Sequence, residues 1–407
     1  MAASRLPRTY WVLWAGMLVN RLGGFVISFL SLYLTQQRGF TPQRAGAIVS
    51  LWGAGALVSG PIGGAMADRL GRRATMVLAL VLGALAMLHL GAARSPAHIA
   101  VAAFLLGMTG DMYRPAVSAA VADLVPPDQR TRAYGYLYWA VNLGFACAAA
   151  IAGVLARRSY WLLFAGDAIT TLIFAGIVFA SVPETRTVRT EHGHFEGLLV
   201  PLRDGVFLAF VGLSLLLAIV FFQAFVTLPL DLAAHGISSD QYGGLIAING
   251  VLIVVLQPFA VRIVHRFESS QVLAVACLLV GVGYGATQFV HTPAGYAATI
   301  CIWTLGAIAF SPISPTVIAD LSPPALRGTY QGVFQMTWGA AFLVSPLAAS
   351  SVLQRYGSKA LWTCSFLLCV LTAAGNLAVA GARRRRLELL ARSGAGDFTA
   401  STPGGVA

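Results

Sequence analysis

Long apolar stretches, separated by short polar breaks, run through the whole chain. Each stretch has about 20 or more residues, enough for a helix to cross the roughly 30 Å hydrocarbon layer of a bilayer. Turn residues and charges at the breaks predict twelve such helices. Their predicted limits are 10–35, 42–67, 74–93, 96–124, 131–156, 160–182, 205–234, 239–266, 270–290, 294–321, 327–354 and 358–381.

The composition supports a location within the bilayer. Hydrophobic residues make up 57% of the 407 residues and charged residues only 10%, whereas soluble domains carry about 25% charge. The net charge of +12 comes mainly from arginines in the breaks between apolar stretches. That distribution is typical of membrane topology and not of a nucleic-acid-binding surface. The sequence therefore predicts an all-α integral membrane protein whose partner is the lipid bilayer and not nucleic acid.

One fourteen-residue phrase occurs twice, as Ala122–Gly135 and Ala319–Gly332, at an offset of 197 residues. Both copies share Ala-Asp-Leu, a Pro-Pro pair, an Arg and a final Gly. A repeat of this length indicates two pseudo-symmetric six-helix halves built on one plan. We predict an N-terminal half over residues 1–182, a linker over 183–203, a C-terminal half over 204–381 and a tail over 382–407.

The positive charges predict the orientation. Counted from a cytoplasmic N-terminus, 18 arginines lie on the cytoplasmic side, against seven Arg or Lys residues on the other side. The positive-inside rule then places both termini and the linker in the cytoplasm. We expect an inner-membrane protein that works as a monomer. The Arg383–Arg386 run predicts a membrane stop and lipid-headgroup anchor, with a specific docking site as the alternative.

The break after the second predicted helix carries a specific motif, Gly64-Ala65-Met66-Ala67-Asp68-Arg69-Leu70-Gly71-Arg72-Arg73. It resembles the signature loop of the major facilitator superfamily, and it lies where that family places the loop. The resemblance implies a twelve-helix transporter in which this cluster latches one state. The implied gating residues are Gly64, Asp68, Arg69, Gly71, Arg72 and Arg73, with Asp123 at the end of the fourth helix as their partner.

Within that family, the sequence around Ser118–Asn142, together with Tyr138–Gly144, most resembles bacterial drug/proton antiporters. The antiporter pattern of the fifth helix is incomplete, because Ala148-Ala149 replace its Gly-Pro pair. The resemblance therefore favours proton-coupled efflux of drugs or secondary metabolites. The alternatives are uptake or uniport of a polar or anionic metabolite and, more remotely, a receptor or scaffold that does not transport.

Three ionisable residues lie deep in predicted helices, where an unpaired charge is costly and usually functional. Helical rise places Arg21 and Arg114 each roughly 15 Å from the cytoplasmic end, and Asp111 roughly 20 Å from it. We predict that they form a substrate and proton-coupling site in which Asp111 alternates between protonation and salt bridging. The alternative is a permanently closed ion pair that fixes the first helix to the fourth. Asp231, near the outer end of the seventh helix, is a further candidate for proton coupling.

The chain carries no recognisable enzymatic motif, so we expect neither catalysis nor a cofactor, and a proton gradient as the energy source. No metal site is expected. His192 and His194 in the linker are a weak metal-binding pattern of a kind that occurs often by chance. Trp139, Phe225 and Trp338 are candidate aromatic walls for an apolar ligand, with ordinary packing as the alternative. Pro115, Pro312, Pro315 and Pro346 mark expected helix bends.

Overall fold

A computed structural model describes residues 6–24, 30, 33–186 and 196–399 of the chain, and every regular element in these ranges is helical. The linker histidines, His192 and His194, lie outside the described residues. The helices of the first half are α1 (Arg8–Leu22), α2 (Pro42–Arg69), α3 (Arg72–Ala92), α4 (Pro96–Gly110), α5 (Arg114–Leu124), α6 (Pro127–Arg158) and α7 (Tyr160–Ser181), with a π-helical turn at Tyr33–Gln37.

The linker contributes one short helix, α8 (Glu196–Arg203). The helices of the second half are α9 (Gly205–Phe221), α10 (Gln223–Val226), α11 (Leu228–Ala234), α12 (Ser239–Val264), α13 (Ser269–Ala286), α14 (Pro293–Leu321), α15 (Arg327–Ala378) and α16 (Ala380–Thr399). The end of the bundle at which α2 terminates is called the Asp68 end below, and the other end is called the opposite end.

Eight helical segments in the described ranges are long and apolar enough to cross a membrane, judged by length and composition. They are Ala47–Arg69, Arg72–Ala92, Tyr160–Ser181, Gly205–Ala234, Gln241–Val264, Ser269–Phe289, Pro293–Leu321 and Ser351–Ala378. They match eight of the twelve predicted spans. The first, fourth, fifth and eleventh predicted spans are helical over much of their described length but do not belong to this group.

The fourth predicted span is broken in its middle. It forms α4, with 15 residues, and α5, with 11, joined by a turn at Asp111–Tyr113. Pro115 explains the break, because proline has no N–H to donate to the carbonyl of Asp111 four residues earlier. That carbonyl instead accepts the N–H of Arg114 at 3.0 Å. A sequence expected to form one helix therefore places the start of a second helix in the interior of the bundle.

Two other predicted spans differ in detail. The seventh is divided into α9, α10 and α11 at Phe222 and Thr227. The predicted eleventh and twelfth helices run together as α15, which is interrupted at Gly357, where φ is 80°. Because only glycine adopts this left-handed conformation readily, Gly357 provides the bend between them.

Three helices that begin at the opposite end share one starting device. Thr41, Ser95 and Thr292 each precede a proline, and each side-chain oxygen accepts a backbone N–H from the first turn. A hydroxyl at the cap satisfies a free N–H, and a proline at the first helical position lacks an N–H that would need a partner. These caps set where α2, α4 and α14 begin.

Each half buries its own apolar core. One core is formed by residues of α9 to α15, including Phe207, Phe210 and Trp362. The first half holds three further buried clusters, the largest of which also includes Ala319 of the second half. Across the boundary between the halves, α2 packs along the first part of α15, and α6 packs against α12 and α14.

The Arg383–Arg386 run, predicted to anchor lipid headgroups, lies against the second half of the protein. Three of its arginines bind the second half: Arg383 donates to Ser270 and Asn376, Arg384 to Glu268, and Arg386 to Asp204. Arg385 is exposed. Three of these four charges are therefore engaged by protein groups that hold the start of α16 against its own half.

Candidate functional site

Asp68, at the end of α2, is buried and ties the two halves together. Its Oδ1 accepts the N–H of Gly328 at 2.9 Å, and its Oδ2 accepts both the N–H and the hydroxyl of Thr329 at 2.6 Å. These donors lie in the first turn of α15, whose free N–H groups and positive dipole end favour an anion. A carboxylate of the first half thus caps a helix of the second.

Arg72 joins this carboxylate to a second one. Its guanidinium is buried, with Nη1 at 2.7 Å from Asp68 and Nε at 3.1 Å from Asp123. Its Nη2 donates to the carbonyl of Pro324 in the second half at 3.3 Å. Removing one member of such a buried set leaves an uncompensated charge, which costs about 3–5 kcal/mol. The cluster is therefore stable only as a whole.

Two further ion pairs cross between the halves. Arg327 Nη1 lies 2.6 Å from Asp123 Oδ1, and Arg130 Nη1 lies 2.5 Å from Asp320 Oδ1. The repeat offset of 197 relates Asp123 to Asp320 and Arg130 to Arg327. Each arginine therefore binds the aspartate of the other half and not that of its own.

Glycines let α2 and α15 approach to backbone contact at this end. A Cβ added to Gly64 would lie 2.3 Å from the carbonyl oxygen of Gly328, and one added to Gly60 would lie 2.5 Å from that of Gly332. Small residues four apart on both helices permit such packing. Together with the crossed ion pairs, this contact closes the bundle at the Asp68 end.

The other predicted gating residues have different surroundings. Gly71 adopts a φ of 100°, which explains why glycine stands between α2 and α3. Arg69 is exposed, and its side chain makes no bond or ion pair within the described residues. The Arg73 side chain donates to the carbonyl of Phe179 and lies over the ring of that residue.

Glu184 is a member of this cluster that sequence reasoning missed. Its Oε1 accepts the N–H of Arg72 at 2.8 Å, and its Oε2 accepts the N–H of Arg73 at 3.2 Å. It thereby caps the start of α3 from a position just after α7. The available signal was an acidic residue directly after a span end, but nothing in the sequence indicates which helix it would meet.

The structure brings the three deep charges together. Asp111 Oδ1 accepts hydrogen bonds from Arg21 Nη2 at 3.0 Å and from Arg114 Nε at 2.8 Å. The expected common level of these side chains is thus present, although the helix is broken between Asp111 and Arg114. The side chains of Arg21, Asp111 and Arg114 are 18%, 28% and 30% exposed. Solvent-accessible surface remains on each.

A buried network that the sequence did not reveal holds Arg21 in place. Arg21 Nη2 also donates to the hydroxyl of Tyr113 at 2.7 Å, and this hydroxyl donates to Asn20 Oδ1 at 2.9 Å. Asn20 Nδ2 in turn donates to the hydroxyl of Thr171 in α7 at 2.9 Å. These contacts connect α1, the break in the fourth span and α7, so the position of Arg21 is fixed by three elements.

Asp231 lies apart from these three charges. It is buried near the opposite end, where Tyr296 donates to its Oδ2 at 2.8 Å and Ser358 donates to its Oδ1. His235 Nδ1 is 4.0 Å from the same carboxylate. These partners belong to the second half, and no contact joins Asp231 to Arg21, Asp111 or Arg114 within the described residues.

Two of the three candidate aromatic walls contact other aromatic rings, whereas Phe225 is exposed. Trp338 stacks on Phe221, with ring centroids 6.0 Å apart, where α9 ends. Trp139 stacks on Trp14 at 5.6 Å, and its Nε1 donates to the carbonyl of Val254 across the boundary between the halves. Within the described residues, no group of three or more His, Cys, Asp or Glu side chains is placed to hold a metal ion.

The family model described as Major Facilitator Superfamily matches residues 13–232 and 224–400. The chain belongs to the major facilitator superfamily. It is therefore a multi-pass membrane transporter of the all-α class, as the resemblance of the loop implied. A major facilitator protein moves small molecules and is not an enzyme.

Relatives in this superfamily cover most of the chain. The transporter YttB of Bacillus subtilis, itself uncharacterized, is 25% identical over 91% of this chain and 95% of its own. A Na(+), Li(+), K(+)/H(+) antiporter of Planococcus maritimus is 24% identical over 79% of this chain and 84% of its own. The multidrug resistance protein MdtH of Cronobacter sakazakii is 28% identical over 82% of this chain and 83% of its own.

The fold also resembles solved structures. The human organic anion transporter MFSD10 superposes with a TM-score of 0.77 over 91% of this chain and 100% of its own, at 18% identity. At this identity the likeness concerns the fold alone.

Proposed function

We propose that the chain is a proton-coupled secondary transporter that exports small amphipathic organic molecules by alternating access. The observation that carries the proposal is Asp111, a partly exposed carboxylate held between Arg21 and Arg114 where the fourth span breaks. An ionisable group at this depth is costly unless it is paired or hydrated. A carboxylate that can be paired with arginine and also hydrated is suited to taking up and releasing a proton.

The coupling follows from the two environments that Asp111 meets. Beside two guanidinium groups the carboxylate is stabilised in its charged form, whereas separation from them in apolar surroundings favours the protonated form. A rearrangement that moves Arg21 relative to Asp111 would thus change proton affinity. Arg21 lies on α1 and Asp111 in the break of the fourth span, so they are carried by different elements.

The closed Asp68 end sets the state of the transporter. Following the arginine distribution, we assign this end and both termini to the cytoplasm of a bacterial inner membrane. In this assignment the structure corresponds to an outward-facing state, and the exposed surfaces of the three deep charges would face the route of the cargo. Return to the inward-facing state requires Asp68 to leave Gly328 and Thr329 and the crossed ion pairs to part. All these groups belong to one chain, which supports a monomer.

The direction of transport is proposed from the relatives. The names multidrug resistance protein and cation/proton antiporter both support outward movement of cargo against a proton flux. Uptake or uniport of a polar or anionic metabolite is the alternative. The replacement of the antiporter Gly-Pro pair by Ala148-Ala149 supports it.

The test is flux in liposomes that contain the purified full chain and a pH-sensitive dye. A panel of lipophilic cations, amphipathic acids and sugars is applied with and without an imposed pH gradient. We expect at least one compound to move with countermovement of protons, and Asp111→Asn to abolish the gradient dependence. Transport that does not depend on the pH gradient identifies a uniporter. Movement of protons in the same direction as the cargo identifies uptake. No transport of any compound supports a receptor.

A further inference from the structure

Arg114 has unused hydrogen-bonding capacity. Its Nε donates to Asp111, but its two terminal nitrogens have no partner within the described residues, and its side chain is 30% exposed. A guanidinium presents five N–H donors in a planar fork that matches a carboxylate or phosphate group. The free edge of this fork is the part that carboxylate or phosphate oxygens bind in pairs.

The two arginines share one carboxylate, that of Asp111. Arg21 and Arg114 both bind the same oxygen, Oδ1, of Asp111. Arg21 has a second partner, because its Nη2 also donates to the hydroxyl of Tyr113 at 2.7 Å. Arg114 has Asp111 alone among the described residues. The guanidinium of Arg114 is therefore the less engaged of the two.

The backbone adds to this positive field. Arg114 is the first residue of α5, so the positive end of an 11-residue helix lies at the same place. Helix N-termini inside broken transmembrane helices attract anionic groups of ligands. Two independent features, a guanidinium with free N–H groups and an interior helix start, thus favour the same kind of ligand.

We propose that the cargo carries an anionic head, a carboxylate or phosphate, which binds the free edge of Arg114 at the start of α5. The inference rests on the proposed function, since it names the substrate class of the same site. Asp111 is the intramolecular competitor of the cargo: its carboxylate occupies the two arginines when the head group is absent. Arrival of the head group then weakens the hold of Arg21 and Arg114 on Asp111. The anionic cargo and the proton on Asp111 are linked through these shared arginines.

The first experiment compares three ligands of one shape with opposite or no charge. Purified full chain in lipid nanodiscs is titrated by calorimetry with 4-phenylbutyrate, its amide and 4-phenylbutylamine. We expect the acid to bind at least about tenfold more tightly than the other two, because charge-assisted hydrogen bonds need an anionic acceptor. Arg114→Gln should remove this preference, Arg114→Lys should restore part of it, and Arg385→Gln, at an exposed arginine, should leave it unchanged. Absent binding of the acid, or no preference for it, overturns the proposal.

The second experiment tests the competition without depending on the identity of the cargo. Asp111→Asn keeps the size of the side chain and removes the competing charge, so it should bind 4-phenylbutyrate more tightly than the natural chain does. In Asp111→Ala, acetate should raise the melting temperature saturably, whereas acetamide with sodium chloride at equal ionic strength should not. Adding Arg114→Gln should abolish the acetate effect. Weaker binding by Asp111→Asn contradicts the competition.

Inorganic phosphate in the same titration separates the two head groups. Protection by phosphate but not acetate assigns a phosphate head, and the reverse result assigns a carboxylate. These equilibrium measurements use no pH gradient. Failure of proton coupling in the flux assay therefore leaves their outcome unaffected, and their failure leaves proton coupling intact.

Discussion

Thr329 gives both its backbone N–H and its hydroxyl to one oxygen of Asp68, each at 2.6 Å, although 261 residues separate the two in the chain. The contact spans the boundary between the halves. While the bundle is closed at the Asp68 end, this contact holds the end of α2 against the start of α15. Opening this end must break both bonds at once.

Asp68→Asn should therefore weaken the closed state. Asparagine keeps the size but loses the charge that Arg72 and the start of α15 require, at a cost on the order of 3 kcal/mol. We expect normal expression and strongly reduced flux in liposomes. Arg69→Gln in the same loop is the matched control, since Arg69 is exposed and makes no side-chain bond within the described residues. Equal flux in the natural chain and Asp68→Asn would show that the loop serves topology only.

The crossed pairs should be energetically coupled. A double-mutant cycle on Arg130→Gln and Asp320→Asn isolates one pair, and contacting charges typically show coupling of about 0.5–3 kcal/mol. Because Asp320 is 28% exposed, we expect a value toward the lower end. Melting of the four proteins in detergent provides the measurement. Strictly additive losses would mean that the pair contributes nothing to closure.

The proposed orientation predicts a labelling pattern. In a chain whose five cysteines are replaced, Ala74→Cys lies at the Asp68 end and Ala97→Cys at the opposite end, and both sites are exposed. In intact cells, an impermeant thiol reagent should modify the cysteine at 97 and spare the one at 74. Permeabilised cells should show modification of both. The reverse pattern in intact cells would invert the topology and turn the outward-facing state into an inward-facing one.

Asp231 should act as a structural residue. Its carboxylate joins α11, the start of α14 and the bend at Gly357 through Tyr296 and Ser358. Tyr296→Phe should lower stability by about 1 kcal/mol, as expected for one lost hydrogen bond, and should leave the pH dependence of flux unchanged. Asp231→Asn should behave in the same way. A flattened pH profile in Asp231→Asn would instead make it a proton-coupling residue, as its position in the sequence suggested.

The docking of α16 should fail in acid. The hydrogen bonds from Arg384, which lies 2.7 Å from Glu268 Oε2, hold the pKa of that carboxyl below its usual value. A depressed pKa means that the contact contributes fully at neutral pH and is lost as pH falls below the usual glutamate range. Glu268→Gln should reproduce that loss at neutral pH and speed trypsin cleavage of α16. Arg385→Lys is the control, because it keeps the trypsin site at an exposed position of α16. Equal cleavage in both variants would contradict the docking.

The sequence predicted those features that depend on regular helix geometry. Helical rise alone placed Arg21 level with Arg114, because depth along a helix is set by residue count. Pro115 indicated a bend in the fourth span, but the full break at Asp111–Tyr113 was not predicted, since its cause is local hydrogen bonding before the proline and not a change in hydrophobicity. The repeat likewise related Asp123 to Asp320. It could not indicate that Arg130 and Arg327 each bind the aspartate of the other half.

Contacts between distant segments account for most of the rest. Glu184 caps α3 from 112 residues away, and Arg384 meets Glu268 across 116 residues. The sequence did not single out Tyr113, because its hydroxyl partners, Arg21 and Asn20, come together only in the folded bundle. Such pairings require the relative positions of helices, which a hydrophobicity pattern does not contain.

The crossed ion pairs bear on the origin of the chain. In a twofold-symmetric pair of identical subunits, a contact from one residue to another always occurs twice, once in each direction. Arg130 with Asp320 and Arg327 with Asp123 have this reciprocal form. A six-helix precursor with one such aspartate and one such arginine would have closed against a second copy of itself through both bridges. Joining the two copies into one polypeptide then preserved a closure that self-association had already supplied.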